Sequence, residues 1–168
     1  LTITFIFFPK FKFTLFYPMT KIQISTSLQI NKTPIEVFEG IIDPAHMTQY
    51  FISKSSGKME AGKILDWEFP EFPGSFPVRI LSVKPFESIT FEWDGDSQPL
   101  TVDINLEERN EGNSTLVKVE EKEMEANEEG LNWLKNNTAG WANFLACLKA
   151  YLEYGINLRK GAFDFMVP

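Results

Sequence analysis

The segment Glu128 to Gly155, EEGLNWLKNNTAGWANFLACLKAYLEYG, restricts the fold more than any other stretch. Leu134, Trp141, Leu145, Leu148 and Leu152 recur at alternating three- and four-residue steps, with Thr138 filling the gap in the series. That spacing predicts one apolar stripe along a helix of about seven turns. The rest of the chain reads as strands, so so long a helix needs a broad surface to cover. The concave face of a curved sheet is the expected surface, and the space between helix and sheet is the expected functional site.

The strands announce themselves by alternation. Ile22, Ile24, Thr26, Leu28 and Ile30 alternate with Lys21, Gln23, Ser25, Ser27 and Gln29, the period of a half-buried strand. Thr33-Pro34-Ile35-Glu36 then supplies a cap, a proline for the first helical turn and a capping box, predicting a short helix from Pro34 to Ile41. Asp43-Pro44 repeats the device and starts a second short helix, expected to run through Met47 to Tyr50. Further strands are predicted over Ile64 to Phe69, Phe76 to Val83, Ile89 to Trp93, Leu100 to Leu106 and Leu116 to Val119. Pro70, Pro73, Gly74 and Pro77 read as a loop, and Asp94-Gly95-Asp96 as a hairpin turn. The order is one strand, two short helices, about six strands and one long helix. This is an α+β chain with an antiparallel sheet, dry on one face and wet on the other.

A chain of 168 residues with 14% aromatics can build one sizeable core. Its net charge of −7 argues against nucleic acid and against docking to an anionic membrane, both of which need a basic footprint. The single cysteine, Cys147, cannot form an internal disulfide and suits the reducing cytoplasm. Residues 1–18 hold six of the sixteen phenylalanines and no acidic residue. They are too broken by Pro9, Lys10 and Lys12 for a membrane span, and lack the marks of a signal peptide. Met19-Thr20-Lys21 reads as a start, so residues 1–18 are expected to be an extension outside a single domain spanning residues 19–168.

Reactive signatures are scarce. The sequence has no glycine-rich phosphate loop, no paired cysteines and no nucleophile elbow, so no catalytic residue, metal ligand or cofactor is assigned. His46, the only histidine, reads as a solvated residue at a helix start. The acidic run Glu120, Glu121, Glu123, Glu125, Glu128 and Glu129 reads as a solvated lead-in that favours the helix N-terminus. Cys147 reads as a small buried apolar group. Three Asn-x-Thr sequons, at Asn31, Asn113 and Asn136, are read as chance. The aromatic set is more telling: Trp67, Phe69, Phe91 and Trp93 share one sheet face, and Trp141 and Phe144 project from the helix. Gly140, in mid-helix, implies either close approach to the sheet or room for a ligand.

These features together resemble a known family. They include Asp43-Pro44-Ala45 to Tyr50-Phe51, Gly62 to Trp67, Val83-Lys84-Pro85-Phe86 to Phe91-Glu92-Trp93, and Gly140-Trp141-Ala142-Asn143-Phe144-Leu145 to Tyr151-Leu152-Glu153. The chain resembles the START-like (SRPBCC) superfamily over Met19 to about Gly155. Within it the likeness is to the branch homologous to the C-terminal domain of the activator of heat-shock protein 90 ATPase. The resemblance implies a helix-grip (Bet v-like) fold, with a seven-stranded antiparallel sheet wrapped around the C-terminal helix and an apolar cavity between them. It makes a small apolar ligand the expected partner, held by Trp67, Phe69, Phe91, Trp93, Thr138, Trp141, Phe144, Leu145 and Leu148. A chaperone is the alternative partner, and a polyketide cyclase-like enzyme the least supported reading.

Overall fold

The computed structural model describes residues 20–95 and 98–166. The expectation for residues 1–18 and the Asp96 end of the predicted turn lie outside them. The elements run β1 (Lys21–Ile30), α1 (Pro34–Ile42), α2 (Pro44–Met47), β2 (Lys54–Ser55), β3 (Ile64–Phe69) and β4 (Phe72–Lys84). They continue as β5 (Ser88–Asp94), β6 (Pro99–Arg109), β7 (Ser114–Glu125) and α3 (Glu128–Tyr154), followed by a 3-10 turn over Asp164–Met166. All seven strands form one antiparallel sheet in the order β1-β7-β6-β5-β4-β3-β2. This is the α+β helix-grip architecture.

Local chemistry sets most boundaries. Thr33 and Glu36 exchange the two hydrogen bonds of a capping box, and Asp43 Oδ1 accepts from Ala45 N at 2.8 Å to start α2. The second helix is shorter than expected, ending at Met47 and continuing as turns through Phe51. At α3, Asn127 caps Gly130 N at 2.9 Å. A Cβ on Gly130 would stand 1.9 Å from the carbonyl oxygen of Glu125, so only glycine lets β7 turn so tightly into the helix. Gly155, at φ 66°, closes α3: its N–H reaches Tyr151 O at 2.8 Å, the 5→1 bond of an αL cap.

Two expectations about strand extent are corrected. Pro73, Gly74 and Pro77 lie inside β4, not in a loop, and the β3–β4 connection shrinks to Pro70-Glu71. Proline is tolerated there because Phe72 to Pro77 pairs with β3 alone; pairing with β5 begins at Val78. The strand predicted over Leu116 to Val119 extends to Glu125, so Glu120, Glu121, Glu123 and Glu125 are strand residues and not a helix lead-in.

Register shifts occur between Ile22 and Ile24, Trp67 and Phe69, and Ile80 and Ser82. Such bulges bend and twist a strand, which suits a sheet that must curve around a helix. Across the concave face one row runs Ile24, Glu121, Val102, Phe91, Ile80 through successive strand pairs. Trp141, Phe144, Leu145 and Leu148 of α3 lie buried against that face, completing one continuous core. Among the described residues no helix is long and apolar enough to cross a membrane.

Candidate functional site

Glu121 is the one charged member of that row, and it is fully buried. Three side chains surround its carboxylate. Trp93 Nε1 donates to Oε1 at 2.9 Å, Trp141 Nε1 donates to Oε2 at 2.9 Å, and Asn137 Nδ2 donates to Oε2 at 3.1 Å and to Oε1 at 3.4 Å. Indole N–H groups can only donate, and an ionised carboxylate can only accept, so this constellation fits the anion. Among the described residues Glu121 has no cationic partner within ion-pair distance. The two indoles lie nearly parallel, with centroids 5.3 Å apart and planes at 27°, and Phe91 meets Trp93 edge-on.

Directly beside this cluster is an open recess of about 1190 Å³ between the sheet and α3. Trp93, Asn137 and Trp141 belong to its wall, whereas Glu121 sits one layer behind them. Phe69, Phe72, Phe76, Leu100 and Met124 continue the wall on the sheet side, and Trp133 and Gly140 on the helix side. Phe72 and Phe76 stay substantially exposed at its rim, which marks the area as something other than packed core. The space beyond Gly140 is open, so this glycine is not held by close approach to the sheet.

The chain after α3 closes one side. Arg159 Nη2 pairs with Glu71 at 2.7 Å, both side chains being largely buried, and the guanidinium stacks on Phe51 and Phe163 at 5.7 and 4.8 Å. This clamp carries Phe163, Phe165 and Met166 to the recess. On its other side Arg159 also borders a smaller hollow of about 440 Å³ between Thr48–Ser53 and the tail.

The nine residues assigned from the sequence fall into two groups. Phe69, Trp93 and Trp141 line the recess. Trp67, Phe91, Phe144, Leu145 and Leu148 are buried behind it in the core, and Thr138 is half-buried on α3 outside the lining. Sequence reasoning missed Glu121, Asn137, Trp133, the Phe72–Phe76 rim and the whole tail from Arg159. Glu121 had a signal: Val117 and Val119 alternate inward, and the next step of the same period is residue 121.

Other reactive groups stand apart from the recess. His46 is half-buried, not solvated: its Nδ1 lies 2.8 Å from the Tyr151 hydroxyl. Burial pushes the Cys147 thiol above its ordinary range, an effect Arg159 only partly offsets, so the residue is poorly nucleophilic. Burial likewise holds the Tyr50 phenol well above its usual range, and its hydroxyl donates to Gly40 O at 3.1 Å. No group of three His, Cys, Asp or Glu among the described residues could hold a metal ion.

Comparison with known proteins agrees with this architecture. A protein of Staphylococcus saprophyticus, SSP2350, superposes with a TM-score of 0.70 at 29% identity, covering 82% of this chain and 96% of that one. The Aha1 dimer of Colwellia psychrerythraea gives 0.68 at 18% identity over 80% of this chain and 98% of its own. CalU16 of Micromonospora echinospora gives 0.63 at 20% over 82% and 78%. The last two identities speak for the fold alone. No curated protein matches the chain. The family model described as activator of Hsp90 ATPase homolog 1-like protein matches residues 31–153, from the end of β1 to the last turn of α3, and the chain belongs to that family.

Proposed function

We propose that the protein is a non-catalytic carrier that binds a small apolar ligand in the recess between the sheet and α3. The carrying observation is the recess itself: about 1190 Å³ walled by Phe69, Phe72, Phe76, Trp93, Trp133 and Trp141, slightly above the usual range of small-molecule sites. The buried carboxylate behind the wall, Glu121, is saturated by three donors, and of the carboxylates in the wall Glu71 and Asp94 are paired with Arg159 and Arg79 and Glu129 is exposed at the rim. A reducing cytoplasm is the compartment that the lone Cys147 suits.

Native mass spectrometry of the purified protein tests the reading, together with titration by an apolar fluorescent dye. A retained ligand or saturable dye binding that Phe76→Ala weakens is the expected result. Absence of both would overturn it. The chaperone reading draws on the family description; stimulation of a chaperone ATPase by this chain alone would favour it over the carrier.

A further inference from the structure

We infer that the ligand of this recess carries a cationic nitrogen on an aromatic or otherwise planar apolar body. The inference rests on the carrier reading above and narrows it to a class of ligand.

Three observations converge. The first is the uncompensated anion under the wall. Glu121 is buried and held by neutral donors only, so its negative charge is solvated by Trp93, Trp141 and Asn137 without being neutralised. Removing a carboxylate from water is costly, and a positive charge placed nearby recovers part of that cost. The second is the orientation of the indoles. Both N–H groups point at the carboxylate, so the half-buried Trp93 offers the recess ring surface and not its N–H, with the buried Trp141 stacked on it at 5.3 Å. An indole that donates to an anion is electron-enriched, and the indole face is the best aromatic partner for a cation.

Third is the charge of the remaining wall. It contains Glu71, Asp94 and Glu129 against Arg159 alone. Glu71 is already committed to Arg159, and Asp94 to Arg79 at 2.6 Å. An anionic ligand would therefore meet one guanidinium that is already paired and sandwiched between Phe51 and Phe163. The buried donors without a partner that are left for it are Arg159 Nε and the neutral Trp133 Nε1. A cationic ligand meets the Trp93 ring with Trp141 stacked on it, Glu129 at the rim and the field of Glu121 behind.

The test uses three fluorescent probes that share one body and differ in charge: pyrenemethylamine, pyrenemethanol and pyrenecarboxylate. Titrated into the full chain at low salt, the amine should bind about tenfold more tightly than the carboxylate, the size expected of a partly desolvated cation–π contact. Glu121→Gln should erase most of that ratio. Glu111→Gln, in the β6–β7 turn at the far end of the sheet, makes the same change in net charge and should preserve it. Equal binding of amine and carboxylate, or a preference for the carboxylate through Arg159, overturns the inference and leaves the carrier reading standing. So does an equal loss of preference in both variants, which would trace it to net charge. Should Glu121→Gln fail to fold, the charge series on the unaltered protein still decides. If none of the three probes binds, the carrier reading itself falls.

Discussion

Trp141 on α3 donates its indole N–H to Glu121 on β7 at 2.9 Å, fastening the long helix to the sheet by a charge-assisted hydrogen bond inside the core. Trp141→Phe keeps an aromatic ring and deletes the donor, so the Glu121 anion loses one of its three partners. A loss of about 2–3 kcal/mol of stability is expected in urea denaturation, the cost of under-solvating a buried charge. Trp141→Ala should cost more, about 3–5 kcal/mol, because it also leaves a cavity. A Phe variant as stable as the parent would mean that the carboxylate is solvated by other means.

Phe76 and Phe91 separate wall from core. Phe91 is buried, whereas Phe76 is 38% exposed at the recess rim. Phe91→Ala should cost about 3–5 kcal/mol. Phe76→Ala should cost less than about 1 kcal/mol, as a rim position does, while weakening binding of an apolar dye. Thermal unfolding and dye titration on the same two variants make the comparison; interchanged results would place the recess wall elsewhere.

Arg159 and Glu71 hold the tail against the β3–β4 turn. With Arg159→Met, Glu71 is left largely buried without its partner, and the tail gains a reason to swing away so that the carboxylate can hydrate. We expect faster tryptic cleavage at Lys160 and a modest loss of about 1–2 kcal/mol in global stability, since the tail can open by itself. Unaltered cleavage would show that the aromatic contacts of Phe163 suffice.

The α1 cap gives a pH signature. Lys32 first, and then the Thr33 backbone and hydroxyl, hold the Glu36 carboxyl below its ordinary value of 4.5. A folded-state value below the unfolded one means the stabilisation is complete above about pH 5 and disappears as pH falls through the folded value. Glu36→Gln should therefore flatten the stability profile between about pH 5 and pH 3. At neutral pH, Thr33→Ala should cost about 1 kcal/mol by removing the cap itself.

Local rules wrote much of this fold legibly. The capping box at Thr33 and Glu36, the period of two in β1, β5 and β6, and the apolar stripe of α3 each depend on neighbours within a few residues. They can be read without knowing what lies across the core. The misreadings share a cause. Pro73 and Pro77 look like loop residues until it is known that Phe72 to Pro77 has a strand on one side only. In β7, Met124 points inward out of phase with Val117, Val119 and Glu121, because the register shift beside Ile22–Ile24 adds a residue to the strand.

Glu121 shows the division most sharply. Sequence alone could place it on the inward side of β7, and an acidic run argued for water. Its donors come from β5 and from α3, so only the tertiary structure brings Trp93, Asn137 and Trp141 around it and makes a buried anion tolerable. The recess is likewise a tertiary quantity. Amino-acid pattern determined that aromatic side chains would face one another between sheet and helix. Which of them fill the core, as Trp67, Phe91 and Phe144 do, and which are left lining open space, as Phe69, Trp93 and Trp141 are, was decided by curvature, bulges and the path of the tail. Unfilled volume is a difference between the shape of the backbone and the sum of its side chains, and no local period encodes it.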